Sequence, residues 1–591
     1  MSDPVSYRVS MERPHSHLFE VVAHFPPCGD APVVSLPVWT PGSYLVREYA
    51  RHVQELTALT INDQPLRFER IDKRSVRVEA GNKAFRLKYK VYANELTVRT
   101  SHLDGSHGYF NGATLFFYSE ALRNREHRVA VHPPEGWRVT TALERQGLDF
   151  IAQDYDELVD SPFEVGPHTP LQFTAAGVLH EVVLWGDPQL DQQKLLNDLS
   201  KIVETEARFF DGLPLKRYVF IIHASDKGRG GLEHKASTVL LFPRSGFGTA
   251  KGWEDFLTLA THEYFHLWNV KRVKPRALVP FDYGQENYTR LLWAFEGGTA
   301  YYDNLLVRRA GLMSAPRYLT RLGESFTALH TTPGRKVLPL AEASLLSWVK
   351  HYRPDENSPN SAISYYLKGE IVCALLDLHI RRATADQKSF DDVMRLLWQR
   401  YGDESGVPED GVENAAVEVG GTGVKEFLQK ALYETADLDY GVFAHVGLEA
   451  KFRVRESASD KGGAAPRVKS GEDKPRGFLG VLPRGGQTIA SALEGSPAMQ
   501  AGIYAEDEVV ALDGLKCDAA GLVAKCEEKK PGEQVTVTLF RRDRLVEVKV
   551  TLGQKPADAV YFARVDKPTD AQKASFKSWL GTAWDDFEAK A

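Results

Sequence analysis

The residues best suited to chemistry stand in one stretch, Thr261-His262-Glu263-Tyr264-Phe265-His266-Leu267-Trp268-Asn269. On an α-helix His262 and His266 lie about 40° apart around the axis and one turn displaced. Two imidazole nitrogens on one face can bind Zn2+ at about 2.0–2.1 Å, and Glu263 beside them can act on a water as general base. The same spacing also occurs as two hydrogen-bonded histidines in a helix, so the chemistry requires a third protein ligand. Glu286 and Glu296 are the downstream acids. Glu296 lies in Leu292-Trp293-Ala294-Phe295-Glu296-Gly297-Gly298, apolar on both sides, where a buried acid must be paired or metal-bound. Glu286 lies in the polar run Asp282–Asn287, most simply a solvated loop or helix start. Glu296 is therefore the preferred ligand.

The surrounding elements follow from hydrophobic periodicity. Residues 1–175 form an all-β domain: segments such as Leu18–Phe25, Phe85–Tyr92 and Arg138–Thr141 alternate or are β-branched and aromatic, with turn residues between them. Residues 176–455 form a mixed α/β unit continuing into a helical one. Helices are predicted at Leu190–Phe210, Trp253–Val270, Tyr288–Ala310, Ala315–Leu329, Ser364–Thr384 and Lys425–Thr435, and strands at Tyr218–Ile222 and Ser237–Phe242. Residues 456–475 are rich in Ser, Gly, Lys, Asp and Pro and predict a flexible linker. A strand-rich module occupies 476–555, and a tail, 556–591, carries a helix around Lys573–Phe587.

Composition narrows the functional classes. The 591 residues are 43% hydrophobic and 26% charged, the balance of a folded globular chain. The 73 basic and 79 acidic residues leave a net charge of −6, too small to indicate a nucleic-acid partner. The basic run Val270–Arg276 reads as a solvated exit loop. Four scattered cysteines exclude a disulfide scaffold or a cysteine zinc site. No stretch is long and apolar enough to span a membrane, and no signal peptide is visible, so the expected compartment is the cytoplasm.

The motif His-Glu-x-x-His followed by Trp-x-Phe-Glu-Gly-x-Thr-x-Tyr-Tyr resembles the glutamate-liganded zinc peptidases, and within them the glycyl aminopeptidase family. Pro41–Glu48 and Phe110-Asn111-Gly112 look like that family's N-terminal signatures. The resemblance implies a multidomain α+β protein: an N-terminal β domain, a thermolysin-like catalytic domain and a C-terminal PDZ domain. The 29 residues between His266 and Glu296 match this family. The shorter spacing of better-known aminopeptidases would fall on Gln285, not Glu286.

By the same resemblance Gly230-Gly231-Leu232-Glu233-His234 is similar to a Gly-x-Met-Glu-Asn motif, with Glu233 binding the substrate's α-ammonium and Gly230 and Gly231 allowing close backbone approach. His234 replaces the usual Asn of such exopeptidases, and Gly298 the aromatic that usually follows Glu-Gly. Ser364-Tyr365-Tyr366-Leu367-Lys368-Gly369 resembles a Tyr-x-Lys-Gly motif whose tyrosine, here Tyr366 with Tyr365 as fallback, donates to the oxyanion. Arg476–Val481, Ser496–Ile503 and Asp507–Gly514 resemble a bacterial PDZ domain, a module that captures C-terminal peptides. The implied function is a zinc aminopeptidase, one Zn2+ per chain, removing small residues (Gly, Ala) from peptides with a free N-terminus. The alternatives are a zinc endopeptidase, or a PDZ peptide-binding protein with a silent metal site.

Overall fold

The computed structural model describes residues 3–466 and 475–587. The chain divides into two compact units, Met1–Tyr288 with Leu397–Pro408, and Thr289–Leu396 with Glu409–Ala591. In the first, Leu18–Phe25 and Phe85–Tyr92 pair antiparallel from Leu18↔Tyr92 to Phe25↔Phe85. Alternate side chains turn inward, so Phe19, Val21, Phe25, Phe85, Leu87 and Tyr89 share one core. These strands belong to a seven-stranded sheet, beside a four-stranded sheet containing Gly108–Phe110 and Phe163–Gly166. The Phe-Asn-Gly signature has a local cause. Asn111 caps the short helix Gly112–Leu115 by accepting the Ala113 N–H, and a Cβ on Gly112 would sit 2.6 Å from the Leu158 carbonyl oxygen.

A five-stranded sheet of the same unit has the order Leu171–Ala175, Val178–Trp185, Arg217–Ser225, Ser237–Pro243, Gly230–Glu233. Its three middle strands are parallel, and Arg217–Ser225 is buried along nearly its whole length, as a strand covered on both faces must be. The first strand corrects the predicted boundary at 175. Leu171–Ala175 hairpins onto Val178–Trp185 through Ala176 and Gly177, both with positive φ, so the β domain ends before Leu171. A strand's local pattern does not say which sheet it joins.

The second unit is built on helices, chief among them Gly297–Arg309, Ala315–His330 and Tyr365–Ala383. The helix predicted over Tyr288–Ala310 is interrupted at Glu296, between Leu292–Phe295 and Gly297–Arg309. Strand Leu448–Arg453 then pairs antiparallel with Ala559–Arg564, from Leu448↔Arg564 to Arg453↔Ala559. The PDZ module, with its own core of Leu479, Ile489, Val509, Leu522, Val535, Val537 and Val550, lies between these two strands in the chain.

Two sequence expectations change here. Residues 456–466 of the predicted linker are pinned: Arg453 pairs with Asp460, Gly463 N–H donates to the Val560 carbonyl at 2.8 Å, and a Cβ on Gly463 would lie 2.2 Å from the Thr320 carbonyl. The remainder, 467–474, lies outside the described residues. The tail helix runs Asp570–Leu580, closed by Gly581 at positive φ, rather than to Phe587. Trp579 on it is buried and donates to the Tyr301 hydroxyl at 3.0 Å, which makes the tail part of the helical body.

Candidate active site

The His-Glu-x-x-His helix runs Ala250–Phe265, started by Thr249, whose hydroxyl accepts the Gly252 N–H at 3.0 Å. His266 is its C-cap, so the predicted extension to Val270 is a turn instead. The His262 and His266 rings lie 4.7 Å apart at 85°. His266 Nδ1 is 2.6 Å from the Asn269 carbonyl oxygen. A carbonyl only accepts, so Nδ1 carries the proton and Nε2 presents its lone pair. The turn after the helix thus sets the tautomer of one histidine, a role the motif alone did not assign to Asn269.

Edge strand Gly230–Glu233 runs beside this helix, and of its two glycines Gly231 is sterically required while Gly230 has ordinary space. A Cβ on Gly231 would fall 2.0 Å from Glu263 Oε1, so only glycine lets the carboxylate lie against the strand. A Cβ on Gly230 would meet Arg99 Nη1 at 3.5 Å, and Arg99 donates to the Gly231 carbonyl at 3.3 Å. Glu233 is 3% exposed, and its Oε1 has no hydrogen-bond partner among the described residues. One ligand-type atom each from Glu233, Glu263 and His266 lies within 4.8 Å of the others. The Pro41–Glu48 signature closes the other side: Gly42, at φ +89°, leaves room for Glu233, whose Oε1 a Cβ there would meet at 2.4 Å.

Behind Glu233 lies a network that sequence reading did not find. Asp160 receives Lys271 Nζ at 2.5 Å, the Lys235 N–H at 2.7 Å and His234 Nδ1 at 3.2 Å. Burial opposes ionisation of Asp160, but Lys271 and His234 outweigh it and hold its carboxyl well below the usual range. Burial also works against the Lys271 ammonium, and Asp160, with Glu233 behind it, more than offsets that and raises its pKa. The basic run is therefore not a solvated loop. Lys271 and Lys274 are buried, the latter paired with Glu404 at 2.9 Å, and Arg272 donates to the Leu267 and Lys235 carbonyls. His234 is buried with Nδ1 on the Asp160 carboxylate. No sequence signal marks Asp160; four cations after a metal motif were the available hint.

In the second unit Glu296 is 2% exposed, at the break between its two helices. Gly297 and Gly369 bring that break against helix Tyr365–Ala383: a Cβ on Gly297 would lie 2.5 Å from Gly369 Cα, and one on Gly369 2.6 Å from the Trp293 carbonyl. This crossing sets Glu296 near Tyr366. Burial, then Glu296, raises the Tyr366 hydroxyl well above its ordinary pKa, so it stays protonated and able to donate. Tyr365 stacks on Tyr366 at 4.6 Å and is itself fully buried. Gly298 leaves ordinary space, its Cβ position being 3.8 Å from Cys373 Sγ. Glu286 lies in a partly exposed loop of the first unit, as its polar setting predicted.

One other acid–histidine cluster exists among the described residues of the first unit. Glu164 lies 2.8 Å from His107 through one oxygen and 2.8 Å from His223 through the other, with His102 Nδ1 3.0 Å behind His107. Burial resists ionisation of Glu164, but the two histidines bring it down to about 2. Each carboxylate oxygen already has its partner.

An α/β sheet carrying a His-Glu-x-x-His helix, preceded by a β domain and followed by a PDZ module, defines a multidomain peptidase. The chain belongs to the M61 glycyl aminopeptidase family: residues 6–167 match the peptidase M61 N-terminal domain, 255–372 the M61 glycyl aminopeptidase domain and 464–552 a PDZ domain. It is similar over 98% of its length, and over all of the other chain, to the crystal structure of an aminopeptidase N family protein from Idiomarina loihiensis, at 31% identity and TM-score 0.91. An M1 zinc metallopeptidase from Deinococcus radiodurans superposes at TM-score 0.46 with 12% identity, covering 74% of this chain and 95% of that one. A stretch of 106 residues is 26% identical to a probable periplasmic serine endoprotease DegP-like protein of Brucella suis, 18% of this chain and 21% of that protein. The chain thus spans about a fifth of the curated relatives it matches.

Proposed function

We propose that this peptidase is a zinc aminopeptidase removing small N-terminal residues, glycine or alanine, from peptides. The observation that carries the reading is Glu233: a buried carboxylate with one oxygen unpartnered, on the sheet edge, within 4.8 Å of ligand-type atoms of Glu263 and His266. A buried charge of that kind needs a cation, and an α-ammonium one residue from the scissile bond supplies it. The donor set suits zinc. His262, His266 and Glu296 offer two imidazoles and one carboxylate, and His266 is held in the tautomer whose Nε2 carries the lone pair. Zinc, when bound, supplies a Lewis acid that activates water and polarises the scissile carbonyl.

The chain's own groups then divide the work. An extended peptide lies along Gly230–Glu233, its free amine on Glu233 and its backbone close to the strand because Gly230 and Gly231 carry no side chains. Glu263 accepts the proton of the attacking water and passes it to the departing amine. The protonated Tyr366 hydroxyl donates to the oxygen on which negative charge develops. No covalent enzyme intermediate is needed. The PDZ module is read as a site for C-terminal peptides.

Hydrolysis of Gly- and Ala-p-nitroanilide by zinc-loaded protein, beside N-acetylated substrates, tests this. Free-amine substrates alone should be cleaved, kcat falling about 10²–10⁴-fold in Glu263→Gln. In Glu233→Gln the preference for a free amine should collapse, seen chiefly as raised KM. Equal cleavage of acetylated peptides by the wild type would make the enzyme an endopeptidase.

A further inference from the structure

The motif around Glu296 ends in Tyr301-Tyr302, and neither tyrosine has a place in the chemistry proposed above. Both are buried on helix Gly297–Arg309, which begins at Glu296, and each hydroxyl donates to a carboxylate of another helix. Tyr302 donates to Asp391 at 3.0 Å, on helix Phe390–Tyr401. Tyr301 donates to Asp377 at 2.6 Å, on helix Tyr365–Ala383, which carries Tyr366 in its first turn. Asp377 is fully enclosed and takes two more hydrogen bonds, from the Phe390 N–H at 2.9 Å and Arg381 Nε at 3.0 Å. The tail helix reaches the same point. Trp579 Nε1 donates to the Tyr301 hydroxyl at 3.0 Å, and Arg381 Nη1 donates to Ser578 Oγ at 2.9 Å. With a lone pair engaged by Trp579, the Tyr301 O–H is directed at Asp377.

The consequence is geometric. The helices that carry Glu296 and Tyr366 meet at Gly297 and Gly369, neither of which has a side chain to set their angle. Packing sets crossing angles loosely, with a scatter of about 15–20° among helix pairs. A short hydrogen bond to an enclosed carboxylate is directional. Tyr301 lies about 6 Å along its helix from Gly297, and Asp377 about 12 Å along its own from Gly369. Their bond is therefore a second, offset point of attachment. We propose that Tyr301 is a positioning residue: its bond to Asp377, braced by Trp579 of the tail, fixes the angle between the helices of Glu296 and Tyr366. The inference rests on the zinc reading above, in which those two residues serve the same carbonyl, and a misplacement of about 1 Å can cost about 10²-fold in rate.

The test uses the full-length protein with Tyr301→Phe, and Tyr302→Phe as its match. Both remove one buried hydroxyl from the same helix, but only the first unties the Tyr366 helix. Kinetics on Ala-p-nitroanilide at saturating zinc, zinc affinity by competition with a chromophoric chelator, and thermal midpoints are measured. Midpoints should fall to a similar extent in both. Only in Tyr301→Phe should kcat fall about 10–100-fold at nearly unchanged KM, and zinc bind about 10-fold more weakly. Trp579→Phe, which keeps the tyrosine but removes its N–H donor, should show the same pattern in weaker form. Equal kcat and zinc affinity in Tyr301→Phe and Tyr302→Phe would overturn the proposal. So would a Tyr301→Phe protein that fails to fold while Tyr302→Phe folds, since the bond then serves folding alone. A wild type that takes up no zinc, or cleaves no free-amine substrate, would instead sink the zinc reading itself before any variant is compared.

Discussion

Glu263, Glu233 and Asp160 are three acids in one unit with three different environments, and environment rather than residue type sets their tasks. Glu263 lies against a glycine strand beside two imidazoles. Glu233 has one oxygen without a hydrogen-bond partner among the described residues. Asp160 is saturated by Lys271, a backbone N–H and His234. Its folded-state pKa is depressed, so its stabilising contribution is complete above the unfolded value of about 3.9 and drains away as pH falls below it. Replacing Asp160 by Asn leaves Lys271 charged and buried, a loss of about 3–5 kcal/mol. Denaturant unfolding across pH 3–7 should therefore show a less stable Asp160→Asn protein at neutral pH, with a flatter acid limb. A parallel downward shift at every pH would show that Asp160 is not the group titrating there.

At the scale of elements, the two units position their site residues through glycines at close approach. The contact between Gly297 and Gly369 decides how near Glu296 comes to Tyr366, whereas Gly298, one residue on, has space to spare. The two neighbours should therefore respond oppositely to alanine. Gly369→Ala forces a methyl to within 2.6 Å of the Trp293 carbonyl and should cost about 1–3 kcal/mol. Gly298→Ala, in a helix with room, should be neutral or stabilising by about 0.4–1 kcal/mol. Thermal midpoints of the two variants measure this, and equal destabilisation would show that the crossing is not the constraint. Gly298 is thus a packing-tolerant position.

For the whole chain, the PDZ module is an insertion rather than a terminal appendage. The chain leaves the helical body at Leu448–Arg453 and returns on the partner strand, with Arg453 opposite Ala559, before helix Asp570–Leu580 docks through Trp579. Replacing residues 467–554 by a short flexible Gly/Ser loop should leave a folded protein with its thermal midpoint nearly intact. Ending the chain after Glu456, which removes the partner strand and Trp579, should destabilise it severely. If the two deletions behaved alike, the returning strand and tail would contribute nothing to the body.

Much of this was legible in residue order. The His-Glu-x-x-His spacing depends only on helical pitch, and alternation in Leu18–Phe25 only on the strand's two-residue period, so both survive without knowledge of partners. Glu296 announced itself as an acid among apolar neighbours, and its burial bears that out. What tertiary structure alone decided are relations between distant segments. The pairing of Leu171–Ala175 with the parallel sheet, the burial of Lys271 against Asp160 and the anchoring of residues 456–466 each join groups far apart in the chain. Local sequence records a residue's propensity and polarity. Whether a charge is solvated or buried depends on which remote side chain reaches it, and that is set only when the sheets and helices close.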